Sequence, residues 1–228
     1  QVEDYARRRG EDLAKYPNSP LPRDLLERRL LSVAGTPGSE EDVRDLQREL
    51  GLVPDWWVIG PFRSPGADPR AHVFPPEEEI DLGKEYVDNL NACRWRRAGK
   101  DEVVTLDATG WVGFAFSYAD DTATYALTHL TVPSDVEAYV HLRTDDDFAL
   151  FLDRRRVEGY VNRDDAGGDA LWWRGPARTA PDAMRLPVTL SAGRHEVLLK
   201  VKNRWGPAGF VFAVSRRDGR PIEGLRSD

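Results

Sequence analysis

Eight short segments after residue 100 alternate apolar and polar residues with a period of two. They are DEVVTLDA, WVGFAFSYA, ATYALTHLTV, VEAYVHLRT, FALFLD, MRLPVTL, HEVLLKVKN and GFVFAVSR. The residues that separate them are rich in Gly, Pro, Asp and Asn, which favour turns. Successive side chains of a strand point to opposite faces, so each segment predicts a strand that is buried on one face. No strand-helix rhythm accompanies them, so the pattern is typical of an all-β sandwich or barrel, and we interpret it as one antiparallel β-sandwich.

The first fifty residues have a helical pattern instead. PRDLLERRLLSVAG and SEEDVRDLQRELG each carry an apolar stripe, formed by Leu25, Leu26, Leu30 and Val33 in the first and by Val43, Leu46 and Leu50 in the second. Ser39 is a predicted N-cap and Gly51 a predicted C-cap. Such short, charged helices are marginal alone and must pack on the sandwich or on a partner. We therefore divide the chain into a helical arm at 1–53 and a sandwich at 54–228, with an irregular Pro- and Gly-rich loop at 63–85.

The segments on either side of Pro133, Ser134 and Asp135 predict a hairpin. In that register one face is apolar, and it carries Ala126, Thr128, Leu130, Val132, Val136, Ala138, Val140 and Leu142. A slip by one residue would expose this face, so the alternation favours burying it. The opposite face is polar and aromatic, and it carries Tyr125, Leu127, His129, Thr131, Tyr139, His141 and Arg143. It is either a ligand platform or a face that solvent or the helical arm covers.

Three consecutive acids, Asp145, Asp146 and Asp147, stand between two predicted strands in TDDDFALFLDRRRV. Aspartate forms turns because its carboxylate accepts hydrogen bonds from nearby backbone amides. The same cluster offers oxygens to calcium, which takes about six to eight, and NRDDAGGDA at 162–170 offers more. The alternate-residue spacing of a calcium loop is missing. A structural turn is thus the favoured interpretation, with calcium binding and catalysis as alternatives and no other cofactor predicted.

Three stretches carry a resemblance to a known kind of module. They are Thr144-Asp145-Asp146 leading into 148–157, LSAGRHEVLLKVKN followed by GFVFAVSRRDG, and WWVIGPF with VFPPEEEIDLGKEY. Together they resemble the galactose-binding-like jelly-roll modules of large secreted bacterial proteins, over roughly residues 56–219. The resemblance implies that the sandwich is a jelly roll, that the double Asp has an architectural role, and that the location is extracytoplasmic or secreted. Asp153-Arg154 departs from the Asn-Gly turn of those modules, and Arg194-His195 from their aromatic-Asn pair.

Composition disfavours several function classes. A net charge of −7 argues against nucleic acid, which requires a basic surface. Cys93 is the only cysteine, so an intrachain disulfide is not available. No apolar run approaches the roughly eighteen residues of a membrane span. His129 and His141 are predicted to share a face but lack a third zinc ligand. The chain also lacks a Gly-x-Ser-x-Gly motif and a phosphate-binding glycine loop, which favours a non-catalytic protein.

Trp172 and Trp173 in DALWWRGPAR are the strongest functional signal. Adjacent residues of an extended chain point in opposite directions, so one indole can anchor the core while the other is exposed. An exposed indole stacks on the apolar face of a sugar, and Arg and Asp side chains bind its hydroxyls. The predicted contact set is Trp172, Trp173, Arg174, Asp165 and Asp169. Packing of both tryptophans over the sandwich edge is the alternative.

These patterns predict a non-catalytic, carbohydrate-binding accessory module of a larger secreted or envelope protein. One alternative is a structural module that docks a neighbouring domain, which predicts an uncovered apolar patch at Leu25, Leu30, Val43 and Leu46. Another is a hydrolase whose carboxylate pair is not identified. The sequence starts at Gln1 and its only methionine is Met184, so we expect a processed protein or part of a larger one.

Overall fold

The computed structural model describes residues 23–63, 71–87, 92–100, 102–116, 121–145, 147–160, 184–203 and 208–228. Within them lie three helices, α1 (Arg23–Val33), α2 (Glu40–Leu50) and the single-turn α3 (Pro75–Glu78). The strands are β1 (Trp57–Arg63), β2 (Tyr86–Val87), β3 (Ala92–Cys93), β4 (Arg96–Arg97), β5 (Val104–Leu106), β6 (Trp111–Phe114), β7 (Thr122–Val132), β8 (Val136–Asp145), β9 (Asp147–Leu152), β10 (Arg155–Tyr160), β11 (Met184–Leu190), β12 (Gly193–Asn203), β13 (Ala208–Arg216) and β14 (Arg226–Ser227).

Two antiparallel sheets form a sandwich. The larger sheet has the order β10-β9-β12-β7-β1-β4, with β14 also paired to β7, and the smaller has the order β11-β8-β13-β6-β5. The chain changes sheet between β4 and β5, β6 and β7, β7 and β8, β8 and β9, β10 and β11, β11 and β12, β12 and β13, and β13 and β14. This repeated crossing is the jelly-roll arrangement, and the predicted fold class is confirmed.

The main core lies between the inner faces of the two sheets. Trp56 is at its centre, with edge-to-face ring contacts to Phe210 at 4.8 Å and to Phe212 at 5.2 Å. The Trp56 indole N–H donates to the carbonyl of Val53 at 2.7 Å, so the buried donor is satisfied. Burial of such side chains on both sheets holds the sandwich closed.

The predicted hairpin at Pro133–Asp135 is wrong. β7 pairs with β12 and β1, whereas β8 pairs with β13 and β11, so the turn at 133–135 passes from one sheet to the other. The predicted apolar face is nevertheless buried, and its hydrophobic members all belong to the main core. Alternation specifies which face of a strand is buried, and the inner faces of two packed sheets satisfy it as well as one face of a hairpin does.

Helices α1 and α2 pack against each other through Leu26, Leu30, Leu46 and Leu50, all of them buried. The apolar patch expected for the docking alternative is therefore covered by the arm itself at Leu30 and Leu46, and Val43 is partly buried. The side chain of Leu25 lies outside the described residues.

The arm is seated on the smaller sheet. Gly51 ends α2 in the left-handed conformation, with φ of 64°, as predicted for a C-cap. Its carbonyl accepts a 2.8 Å hydrogen bond from the amide of Val214 on β13, and Glu27 of α1 pairs with Arg143 of β8. Ser39 precedes α2 but makes no side-chain cap, because its hydroxyl lies 2.7 Å from the carbonyls of Val33 and Thr36 instead.

Residues 71–87, which we call the strap, cross the outer face of the larger sheet. They include α3 and β2 and are otherwise irregular, and all but the two residues of β2 fall in the loop predicted at 63–85. Phe74 and Tyr86 of the strap join outward-facing side chains of the sheet in a second hydrophobic cluster, which consists of Ile59, Phe62, Phe74, Tyr86, Cys93, Trp95, Ala123, Tyr125, Leu127 and Leu198. The strap therefore covers a sheet face that would otherwise expose aromatic side chains.

Candidate functional site

Strand register shows which loops leave the sandwich together. Across the larger sheet, four pairs mark one end: Arg63 with Thr122, Thr122 with Asn203, Lys202 with Asp147, and Phe148 with Tyr160. The ends of β1, β10 and β12 and the starts of β7 and β9 thus lie side by side.

The smaller sheet contributes strand ends to the same place. Asp145 ends β8 and pairs with Gly209 near the start of β13, and Asp147 begins β9 only two residues later. Asn203 ends β12 and Ala208 begins β13, which joins the two sheets a second time at this end. We call the strand ends at Arg63, Thr122, Asp145, Asp147, Tyr160, Asn203 and Ala208 the loop end.

The predicted contact set Asp165, Asp169, Trp172, Trp173 and Arg174 lies outside the described residues, as does Asp146. What the structure describes is the strands on either side of the set. The chain leaves β10 at Tyr160 on the loop end and re-enters the smaller sheet at Met184, which pairs with Leu142. Register therefore anchors both flanks of the predicted set close to Asp145 and Asp147.

The described part of the loop end is polar and largely buried. Thr122, Asp147 and Asn203 are buried, and the Lys202 ammonium lies 3.3 Å from the exposed carboxylate of Asp121. Asp145 and Asp147 end and begin strands at a crossing between sheets, as the turn interpretation expects. Within the described ranges no three His, Cys, Asp or Glu side chains are grouped as a metal site would require. Calcium binding that involves Asp146 stays a prediction.

A buried ionic network fastens the strap to the larger sheet. The Lys200 ammonium donates to the carbonyl of His72 at 2.6 Å and to the carboxylate of Glu77 at 2.8 Å. Its nitrogen also lies 5.3 Å from the ring centre of Phe74 and 5.6 Å from that of Tyr125. The Tyr125 hydroxyl donates to the same Glu77 carboxylate, and burial together with that negative charge raises the pKa of Tyr125 well above its ordinary value.

Trp57 is the least buried of the four tryptophans in the described ranges. Trp56, Trp95 and Trp111 are buried, whereas Trp57 is partly exposed on the outer face of β1. Trp57 received no role in the sequence analysis. The signal was present, because adjacent residues of a strand point in opposite directions, so one tryptophan of the pair at 56–57 had to face away from the core. Arg97, its register partner on β4, lies with its guanidinium carbon 5.4 Å from the Trp57 ring centre.

Polar groups surround Trp57 and Arg97. Asp55 accepts from Arg97 at 2.7 Å and from the Ser227 hydroxyl at 2.8 Å. Farther along the outer face of the larger sheet, the hydrogen bond from Arg194 lowers the pKa of the Asp228 carboxyl, and the charge of Arg97 acts in the same direction.

His129 on β7 is held neutral. Burial, followed by the positive charge of Arg194, lowers the pKa of His129 below its ordinary value, although Asp228 and Glu196 act in the opposite direction. His129 therefore presents a neutral imidazole at pH 7.

The predicted shared face of His129 and His141 is wrong, because β7 and β8 belong to different sheets. His141 lies on the outer face of the smaller sheet, where its Nε2 is 2.8 Å from the Ser215 hydroxyl oxygen. That hydroxyl donates to the Arg216 carbonyl at 3.0 Å, so it accepts its hydrogen bond from His141. The imidazole is not placed as a base toward this serine, which is itself buried.

His195 braces the turn between β9 and β10. Asp153 and Arg154 have φ of 49° and 66°, so they adopt the positive φ for which Asn-Gly is favoured. The Asp153 carboxylate accepts from the Glu196 amide at 2.9 Å and from His195 Nδ1 at 2.7 Å. Burial opposes the charged imidazole, but the hydrogen bonds to Asp153 and to the Ser191 carbonyl raise the pKa of His195 above its ordinary value.

No protein-family model matches the chain, and no curated protein matches it significantly. Solved structures are similar at low identity. The epithelial adhesin 9 A domain from Candida glabrata in complex with Galb1-4GlcNAc has a TM-score of 0.39 and 10% identity, over 77% of this chain and 86% of that one. A family 35 carbohydrate binding module from Clostridium thermocellum has a TM-score of 0.30 and 12% identity, over 47% and 88%.

A beta-glucosidase from Kluyveromyces marxianus in complex with glucose has a TM-score of 0.32 and 10% identity over 70% of this chain. The chain spans 15% of that enzyme's length. At such low TM-scores these similarities assign neither a ligand nor a site. No helix within the described ranges is long and apolar enough to cross a bilayer.

Proposed function

We propose that the chain is a non-catalytic carbohydrate-binding module of a larger secreted or envelope protein, with its ligand contacts at the loop end. The observation that supports this proposal is the strand register. It anchors both flanks of the segment that contains Trp172 and Trp173, at Tyr160 and Met184, beside Asp145 and Asp147. We assign the aromatic and acidic residues between these two flanks to the same end of the sandwich.

The chemistry of this set fits a sugar. An indole face packs on the C–H face of a pyranose, and Arg174 donates to ring hydroxyls while Asp165 and Asp169 accept from them. Rigid strands that carry the contact residues on loops are the usual way in which β-sandwiches present binding sites. A calcium ion on Asp145 to Asp147 would act by ordering these loops.

The test is a titration of the full chain with neutral and acidic polysaccharides, followed by tryptophan fluorescence, with and without calcium. Trp172→Ala and Trp173→Ala are compared with the wild type. Tyr139→Ala is the control, because Tyr139 is a partly exposed aromatic on the smaller sheet with Arg217 at 5.3 Å from its ring. We expect saturable binding that weakens about tenfold in one tryptophan variant and not in the control.

Two results would contradict the loop-end proposal. One is the absence of binding to every polysaccharide. The other is undiminished binding by both tryptophan variants while far-UV circular dichroism shows that they are folded. If calcium enhances binding and Asp145→Asn abolishes the enhancement, the aspartates act through the metal. If calcium has no effect, they are a structural turn.

A further inference from the structure

We infer that Trp57 and Arg97 form a second saccharide contact, on the outer face of the larger sheet, and that it takes a neutral pyranose ring. The ligand class rests on the proposed function, whereas the site consists entirely of described residues. Trp57 pairs with Leu127, which is five residues along β7 from Thr122 at the loop end. At about 3.4 Å per residue the two places are roughly 17 Å apart, so they are separate sites.

The stacking element is Trp57. Part of its indole packs on the second hydrophobic cluster, and the remainder is open to solvent. Packing on the cluster, and the Arg97 guanidinium over the ring, fix the orientation of the indole. The exposed part of the indole is the apolar surface that we assign to the C–H face of a sugar. Because β4 is the edge strand of its sheet, the pair of Trp57 and Arg97 lies at the sheet margin.

Arg97 supplies fixed hydrogen-bond donors beside the indole. Its Nη2 donates to Asp55 at 2.7 Å, and Asp55 is held in turn by the Ser227 hydroxyl. A guanidinium carries five N–H donors in a rigid plane, so this one bond orients the rest of the group. Held between Trp57 and Asp55, the guanidinium loses little conformational freedom when it donates to a ligand hydroxyl.

Three acids of this face are paired with arginines, which suits a neutral ligand. Asp55 pairs with Arg97 at 2.7 Å, Asp228 with Arg194 at 2.9 Å, and Glu196 with Arg154 at 2.6 Å. Burial and the charge of Arg194 lower the pKa of His129, which lies on the same face. Arg226 of β14 is a further, exposed arginine on this face, because it pairs with Thr131 of β7. Hydroxyls find both donors and acceptors among the paired groups, and an acidic polymer tests whether Arg226 attracts an anionic sugar.

The experiment is affinity electrophoresis of the full chain through a glucan, a mannan, a galactan and, for comparison, the acidic polymer pectate. Trp57→Ala is expected to weaken binding of at least one neutral polymer about tenfold, and Trp57→Phe to restore most of it. Tyr139→Ala is the matched control and is expected to bind as the wild type does. Binding is expected to be the same at about 0.05 and 0.5 M salt, because no ion pair with the ligand is involved.

Because Trp57 also packs on the cluster, Arg97→Gln is the second variant. It leaves the indole in place and is expected to weaken binding about threefold to tenfold. If circular dichroism shows that Trp57→Ala is unfolded, the affinity of Arg97→Gln tests the Trp57 site in its place, and unchanged binding by a folded Arg97→Gln overturns that site.

The outcomes separate this site from the loop end. Loss in Trp57→Ala, with Trp172→Ala and Trp173→Ala unaffected, supports the Trp57 site and contradicts the loop-end site. Loss in Trp172→Ala or Trp173→Ala, with Trp57→Ala unaffected, overturns the Trp57 site and supports the proposed function. Binding only to pectate, with loss at high salt, overturns the neutral-ring assignment, and binding to no polymer overturns both proposals.

Discussion

Replacing Gly51 with alanine is expected to separate the helical arm from the smaller sheet. Gly51 has φ of 64°, and a Cβ at this position would lie 2.0 Å from the carbonyl oxygen of Val214. The left-handed conformation costs about 1–2 kcal/mol for a residue with a Cβ. Moving the backbone away also loses the bonds from the Val214 amide to Gly51 and from the Val53 amide to Phe212, each contributing about 1 kcal/mol. The free energy of unfolding should therefore fall by about 3–4 kcal/mol.

Gly35→Ala is the matched control. Gly35 has φ of 81°, but nothing lies within 4 Å of the position that a Cβ would occupy. Only the conformational cost of about 1–2 kcal/mol remains there. Urea unfolding of both variants, followed by tryptophan fluorescence and far-UV circular dichroism, gives the difference, which we expect to be about 2 kcal/mol. Equal losses would mean that α2 is not seated on β13, and the docking alternative for the arm would regain support.

Three further predictions concern the ionic contacts. Glu77→Ala should lower the free energy of unfolding by about 3–5 kcal/mol in urea titrations, because it leaves the buried Lys200 ammonium without its carboxylate. The double variant Glu77→Ala with Lys200→Met should lose less stability than Glu77→Ala alone. A loss in the double variant that is equal or larger would refute the pairing. Since the pKa of His195 is raised in the folded state, its contribution to stability is complete below about pH 6.5 and is lost as the pH rises through the folded pKa. The Tm difference between wild type and His195→Gln should therefore shrink as the pH rises above about 6.5, and a difference that grows would contradict this sign. Arg154→Gly should raise the free energy of unfolding by up to about 1 kcal/mol in urea titrations, because glycine adopts the positive φ without strain and only a partly exposed ion pair is lost. Asp153→Gly should instead lower the free energy of unfolding, because it removes the hydrogen bond to His195.

Local patterns specified much of the fold. The period of two identified the long strands, and the stripes at Leu26, Leu30, Leu46 and Leu50 identified the two helices that the structure describes in the arm. Gly51 was recognisable as a C-cap because only glycine adopts that conformation without cost. Each of these features depends on residues within one or two turns of each other, which is why the sequence alone reveals them.

Local patterns did not determine which strands pair with each other. The turn at Pro133–Asp135 reads equally well as a hairpin or as a crossing between sheets, since both bury the same side chains. The choice depends on β12 and β13, which pair with β7 and β8 from about sixty to eighty residues farther along the chain. Once the hairpin is replaced by a crossing, His129 and His141 lie on opposite outer faces, and the idea of a shared zinc face fails for the same reason.

The sequence by itself determined the antiparallel β-sandwich and the helices at 23–50, because periodicity is local, whereas the sugar-contact set stays a prediction. Only the tertiary structure decided which outer surfaces remain open. Whether Trp57 is exposed and Trp95 buried, and whether Lys200 carries its charge inside the protein, depends on where the strap crosses the larger sheet. That crossing brings together residues more than a hundred positions apart in the chain, such as His72 and Lys200. A pattern of neighbouring residues therefore cannot predict it.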